Sequence, residues 1–249
     1  MKLLEIVYTD YFLRGILQEN SSHVVLCLHG FERVSTTEAK FKALCQLDEK
    51  NVSSFRLDFS GLGLSDGCFS SMTIDSLVDE LDVVVSFLRE KFDRIDVVCH
   101  SLASCVVSSY CEKNRSMLTI VFLAPAFDQV KLLRYWFQKS VYSKENISWE
   151  NYGEFDFDEN GFDLWCSETR ETKSHLILNY FQSVKRRDFS DMLLVDKSML
   201  WIHGDQDSSV PLASVVSFAS SVVVVGDHDM EKPSMLSQWL NKAIQFLSE

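Results

Sequence analysis

The chain has 249 residues, enough for one large α/β domain or two small ones. Hydrophobic residues at 46% and a mean hydropathy near zero can fill a sizeable core, and charged residues at 24% are ordinary for a water-soluble protein. The formal net charge of -12 argues against nucleic acid or an anionic membrane surface as a partner, since both need a basic face.

Leu4 to Leu17 alternates and breaks near Thr9-Asp10, which predicts an N-terminal β-hairpin. Val24 to Leu28 is a fully apolar run, as in a parallel strand covered on both faces, and it ends at His29-Gly30-Phe31. Helical spacing follows from Thr37 to Leu47, then a short strand, Ser54–Asp58, leads into Ser60-Gly61-Leu62-Gly63-Leu64-Ser65-Asp66-Gly67. Ile74 to Phe92 puts Leu77, Leu81, Val84, Val85 and Leu88 on one stripe, an amphipathic helix. Strand Ile95–Cys99, helix Ser101–Tyr110 and strand Leu118–Leu123 come next, and the last of these ends in Ala124-Pro125. After residue 190 the rhythm resumes with strands Met199–His203 and Val222–Val225 and a final helix, Ser234–Leu247. Strands alternating with helices predict a mostly parallel, doubly wound α/β sheet.

Residues 127–190 interrupt that alternation. They are rich in aromatics and acids and read as an insertion, with helices at Val130–Lys139 and Lys173–Val184 and hairpin material between. Asn160-Gly161, between Phe157 and Phe162, is read as a hairpin turn. Most of the aromatics are expected to form the insertion's own small core, with one or two facing a pocket. The organisation expected is therefore a core in two parts, 1–126 and 191–249, separated by the insertion.

Seven cysteines, five of them (Cys27, Cys45, Cys99, Cys105, Cys111) in apolar runs and none in a C-x-x-C pair, read as buried free thiols of a reducing compartment. Met1–Glu5 has no basic region followed by an apolar one, and no apolar run approaches the ~18 residues of a membrane span. A cytoplasmic protein is the expectation.

Ligands of open α/β sheets bind beyond the carboxyl ends of the strands. His29-Gly30-Phe31, Ser101, the pair Asp205 and Asp207, and His228 each follow a different predicted strand. Nucleophile, acid and base thus occur in the order Ser, Asp, His, which separates α/β-hydrolases from the other common serine-triad folds. Ser101 lies on a strand-to-helix turn, Cys99-x-Ser101-x-Ala103, where the usual spelling is G-x-S-x-G. Cys99 and Ala103 add bulk where strand and helix cross, so an elbow with more strain and lower activity is expected.

Two other motifs carry less. Gly61 to Gly67 imitates a dinucleotide fingerprint, but its last glycine falls one position late and no helix follows at once. Asp156 to Gly161 copies half of an EF-hand loop whose twelfth position is Ser167 instead of glutamate. No other cluster has metal-ligand spacing, so neither metal nor organic cofactor is expected.

Over essentially its whole length the chain resembles the α/β-hydrolases, in particular the cinnamoyl/feruloyl-esterase-like carboxylesterases. The matching stretches are His29-Gly30-Phe31, Asp58 through Gly67, Met72-Thr73, Leu123-Ala124-Pro125-Ala126 and His203-Gly204-Asp205-Gln206-Asp207-x-x-Val210-Pro211. The resemblance implies an α/β-hydrolase fold with a cap inserted at 127–190. It also implies Ser101 as nucleophile, His228 as general base, and Asp207, in preference to Asp205, as the orienting acid. The backbone N–H groups of Phe31 and Leu102 would form the oxyanion hole, with His29 bracing the oxyanion loop. His203 would cap a strand end, and no separate role is implied for His100. The activity implied is hydrolysis of aryl or short-to-medium acyl esters, small molecules, through an acyl-enzyme. A thioesterase or a monoacylglycerol-type lipid esterase uses the same groups and stays open, as does a non-catalytic relative that serves as a binding module. A homodimer also stays open.

Overall fold

The structure is a computed structural model that describes residues 1–249 apart from 116–117, 169, 172–175, 178, 191–197 and 216–220. The chain opens with the expected hairpin, β1 (Lys2–Tyr8) and β2 (Tyr11–Gln18), paired antiparallel. Next come β3 (His23–Leu28), the short helix α1 (Ala39–Ala43) running into a 3₁₀ turn to Lys50, and β4 (Ser53–Asp58). Helix α2 (Ile74–Arg89), β5 (Arg94–His100), α3 (Ala103–Asn114) and β6 (Ile120–Leu123) continue the alternation. The insertion holds α4 (Gln129–Val141), α5 (Glu159–Ser167), a two-residue strand pair β7 (Arg170–Glu171) and β8 (Leu176–Ile177), and α6 (Tyr180–Val184). The chain then returns to β9 (Met199–Gly204), β10 (Ser221–Val224) and α7 (Pro233–Ser248).

Eight strands form one sheet in the order β1-β2-β4-β3-β5-β6-β9-β10. From β4 to β10 every neighbouring pair is parallel, and β1 and β2 are the antiparallel edge. Pleating sends successive side chains to opposite faces. Val24, Leu26 and Leu28 of β3 therefore join a core with α2 and α3, while Val25 and Cys27 join a second core with Phe41 of α1 and Trp239 of α7. The apolar stripe of α2 is buried throughout, and Thr73 caps the helix through a reciprocal pair of bonds with Ser76.

The insertion departs from its sequence-based outline in two places. Asn160-Gly161 is no hairpin turn: both residues lie in the first turn of α5. Phe162 and Cys166, four residues apart, face inward from that helix, and Phe162 packs on Phe137 of α4 with ring centroids 5.5 Å apart. The helix expected over Lys173–Val184 begins only at Tyr180, because Leu176–Ile177 pairs as strand with Arg170–Glu171; residues 172–175 and 178 of that expectation lie outside the described residues. Elsewhere the ends of the insertion run side by side, with Phe189 N–H donating to the Phe127 carbonyl at 3.0 Å and an antiparallel bridge between Asp128 and Asp188.

The loop after β4 is held from beneath by two buried carboxylates. Asp58 accepts from Thr36 N–H (3.1 Å), Thr36 Oγ1 (2.6 Å) and Leu64 N–H (3.1 Å). Gly63, at φ +55°, comes so close to that carboxylate that a Cβ would sit 2.1 Å from Asp58 Oδ2. The glycines of this stretch thus serve its own turn geometry. Glu80 of α2 reaches the same loop, accepting from Ser60 N–H at 3.0 Å and from the Ser60 hydroxyl.

Burial pushes the Glu80 carboxyl up to about 7, against the pull of the Ser60 hydrogen bonds. A carboxyl raised in this way favours folding in its protonated form. The stability it contributes is full below the ordinary value near 4.5, falls as pH rises towards 7, and is flat above that. Glu80→Gln keeps an acceptor for Ser60 N–H and cannot ionise. Denaturant melts should find it more stable than wild type at pH 8, by at most about 3 kcal/mol, with the gap closing by pH 5. A gap that does not change with pH would show that Glu80 ionises normally.

Candidate active site

Ser101 sits where β5 gives way to α3, with φ at +53°, a left-handed conformation that costs a non-glycine residue energy. The turn is pinned by Ser101 N–H donating to the Leu123 carbonyl (2.9 Å) and by Ser104, whose hydroxyl donates to the Ser101 carbonyl (2.5 Å). Cys99 and Ala103 are both fully buried, so the elbow closes around them despite their added bulk.

The three side chains picked out by sequence come together. His228 Nε2 lies 2.9 Å from Ser101 Oγ, and its Nδ1 lies 2.7 Å from Asp207 Oδ2. Asp207 Oδ1 accepts from Ser209 N–H (2.9 Å) and Val210 N–H (2.8 Å), which fixes the carboxylate plane. Burial pushes the Asp207 carboxyl up, but hydrogen bonds from His203 and His228, the His228 charge and Val210 N–H outweigh it and hold the group at about 2. It is therefore an acceptor at any pH near neutral. Asp205 is not part of this chain of contacts; it accepts Gly226 N–H at 3.0 Å and ties the β9 loop to the β10 loop.

The His29-Gly30-Phe31 turn faces the elbow. Phe59 N–H donates to His29 Nε2 (3.0 Å), so the imidazole proton is on Nδ1 and is given to the Gly30 carbonyl (2.8 Å). Burial pushes His29 down and keeps it neutral, as that tautomer requires. In a planar trans peptide the carbonyl and the following N–H point in opposite directions. Anchoring the Gly30 carbonyl to His29 thus aims Phe31 N–H the other way. Neither Phe31 N–H nor Leu102 N–H donates to a partner among the described residues. Gly30 lies close against the elbow, since a Cβ there would be 3.0 Å from both Ser101 Cβ and His100 Nδ1, tighter than ordinary contact.

Two histidines do more than the sequence suggested. His100 Nε2 donates to the His228 carbonyl at 2.8 Å, and burial, with the nearby Lys40 and His228 charges, pushes it far down, so it is neutral. His203 Nε2 donates to the Val210 carbonyl (2.8 Å) and lies 3.3 Å from Asp207 Oδ2, so the acid carries a second histidine. A histidine next to Ser101 and another four residues before Asp207 were the available signals in the sequence; their partners were not.

Aromatic rings from the insertion, together with Phe69 from the segment before α2, cover the His29-Gly30-Phe31 turn. The Phe31 ring meets Phe69 (5.5 Å between centroids), Tyr180 (4.9 Å) and Phe181 (6.2 Å, stacked). Trp136 of α4 donates its indole N–H to the Ser209 carbonyl at 2.9 Å, which joins the insertion to the Asp207 loop. Among the described residues no group of three or more His, Cys, Asp and Glu side chains could hold a metal ion, and no helix is long and apolar enough to cross a membrane.

Comparison with known proteins agrees with this architecture. No curated protein is significantly similar to the chain in sequence. Among solved structures, Est1E from Butyrivibrio proteoclasticus, with ferulic acid bound, superimposes with a TM-score of 0.74 at 21% identity, covering 97% of this chain and 96% of that one. Mouse alpha/beta hydrolase domain-containing protein 10 gives 0.66 at 14% identity over 99% and 98% of the two chains. A thermophilic esterase from Thermogutta terrifontis gives 0.64 at 15% identity over the full length of both. At these identities the likeness concerns the fold. A family model described as serine aminopeptidase, S33, matches residues 19–224, most of the chain. The protein therefore belongs to this hydrolase family, within the α/β-hydrolases.

Proposed function

We propose that the protein is a serine carboxylesterase acting on small aryl or short-to-medium acyl esters. The observation that carries this reading is the His228 ring, with Ser101 Oγ 2.9 Å from one nitrogen and Asp207 2.7 Å from the other. With Nδ1–H given to Asp207, His228 Nε2 is a lone pair aimed at the serine hydroxyl. As Ser101 Oγ bonds to the ester carbonyl carbon, its proton passes to His228. The developing oxyanion is met by Phe31 N–H and Leu102 N–H. His228 then protonates the departing alcohol, which leaves an acyl-Ser101 ester. A water that gives its proton to His228 attacks this ester, and collapse frees the acid and restores Ser101.

Residues 127–190 act as the cap in this reading, and residues 1–126 and 191–249 as the core. Phe31, Phe69, Tyr180 and Phe181 make the approach apolar and aromatic, which suits an uncharged aryl or acyl group. Ferulic acid in Est1E is consistent with that class. A graded panel tests the proposal: p-nitrophenyl acyl esters of rising length, methyl ferulate and an acyl-CoA, with fluorophosphonate labelling alongside. Turnover of the short p-nitrophenyl esters or of methyl ferulate, with label on Ser101, is the expected result. A preference for long chains would favour a lipid esterase and a preference for acyl-CoA a thioesterase; absence of both turnover and label would leave a binding module.

A further inference from the structure

The loop between β10 and α7, which presents His228, is held by side chains from three separate elements. The carbonyls of His228, Asp229 and Met230 are consecutive, and each accepts from a different buried donor. His100 of β5 supplies Nε2–H at 2.8 Å, Lys40 of α1 its ammonium at 3.0 Å, and Trp239 of α7 its indole N–H at 3.3 Å. Met230 is bent into the left-handed region, φ +60°, as the loop turns to meet them.

Lys40 is the unusual member. Its side chain has no solvent exposure at all, which is rare for a lysine. The three ammonium protons have three partners: Glu38 Oε1 at 2.7 Å, the Asp229 carbonyl at 3.0 Å and Glu231 Oε1 at 3.3 Å. From outside, Arg33 pairs with the Asp229 carboxylate. Asp229 is thus gripped at its backbone and at its side chain by two residues of the segment after β3. That same segment carries Phe31 N–H.

Burying an ammonium with carboxylates is a poor way to gain stability, because desolvation offsets most of the attraction and an apolar side chain of similar volume often does as well. Lysine does offer what an apolar side chain lacks: donors that fix a carbonyl in space. Resting on the reading of His228 as general base, we propose that Lys40 is a positioning residue. Its ammonium locks the Asp229 carbonyl and so sets the placement of the His228 ring relative to Ser101 and the oxyanion loop.

The test compares Lys40→Met, Lys40→Met combined with Glu38→Gln, and the surface control Lys113→Met in the p-nitrophenyl ester assay. The double variant removes Glu38, the buried one of the two carboxylates that Lys40→Met leaves without their cation; Glu231 is partly exposed to water. Wild type and Ser101→Ala are first compared for fluorophosphonate labelling, so that failure of the serine-hydrolase reading shows before any Lys40 result is read. Loss of Lys40 should lower kcat by about 10- to 100-fold, the scale of a misplacement approaching 1 Å, with KM within about 2-fold. The rate of Ser101 labelling should fall in parallel, while Lys113→Met matches wild type. If either Lys40 variant is folded and keeps kcat within about 2-fold of wild type, or raises KM instead, the proposal is overturned. If both variants fail to fold, it is overturned as well, because Lys40 would then be a general support of the fold.

Discussion

Ser101→Ala should reduce kcat/KM for ester hydrolysis by about 10⁴-fold or more and abolish fluorophosphonate labelling. On the proposed mechanism, without Oγ the His228 lone pair has no hydroxyl to deprotonate, and no acyl-enzyme can form. What remains is the oxyanion hole and binding, which by themselves sustain only a small residue of catalysis. The backbone gives the substitution a second signature. At φ +53° an L-residue carries roughly 1–2 kcal/mol of strain that glycine avoids. Ser101→Gly should therefore be as inactive as the alanine variant yet melt higher than it. A Ser101→Ala enzyme with wild-type turnover would place the nucleophile elsewhere.

Asp207→Asn should cost about 10⁴-fold in kcat near neutral pH while leaving the side chain's shape unchanged. The reason lies in which oxygen can be replaced. Oδ1 accepts two backbone N–H groups, from Ser209 and Val210, so the amide oxygen must stay there. The amide nitrogen is then forced to face His228 Nδ1 and His203 Nε2. Facing a donor, Nδ1 of His228 must become an acceptor, and its proton moves to Nε2, towards Ser101. In that tautomer the ring cannot take the serine proton. Single-turnover acylation should slow as much as steady-state turnover does. Stability should respond as well: a carboxyl held at about 2 contributes stability above the ordinary value near 3.8 and loses it as pH falls towards 2. The asparagine variant lacks that contribution at pH 7, and its melting point should depend less on pH in acid. Near-wild-type turnover would show that Asp207 does not set the tautomer of His228.

The central strands and principal helices were legible because both faces of the sheet are buried there, and the hairpin because its residues alternate between a buried and an open face. Continuous apolar runs such as Val24–Leu28 and the stripe of α2 leave little choice of partner. The grouping of Ser101, Asp207 and His228 was legible for a related reason, since strand ends of a parallel sheet share one edge. The insertion was less so. Glu159 to Ser167 has a turn-like Asn-Gly at its start, and only packing of Phe162 and Cys166 makes it a helix. The long-range supports of the site and its neighbouring loops were invisible, because each depends on tertiary contact across many residues. Lys40 meets Asp229, His100 meets the His228 carbonyl, and Glu80 meets Ser60, without any local spacing to announce them. How closely an elbow carrying Cys99 and Ala103 packs was not legible either, since that is a matter of how β5 and α3 fit together.

The chain leaves the core at Phe127 and comes back at Phe189, where the two backbones are joined by a hydrogen bond. A segment whose ends meet behaves as a cassette. Phe127, at its first stem, packs on Phe122 of β6 and Trp201 of β9, so a change of length is absorbed best at the turns far from the stems. The Trp136 bond to Ser209, the contacts of Tyr180 and Phe181 with Phe31 and the Arg187–Asp75 ion pair are the seams that any exchange of the segment would have to remake.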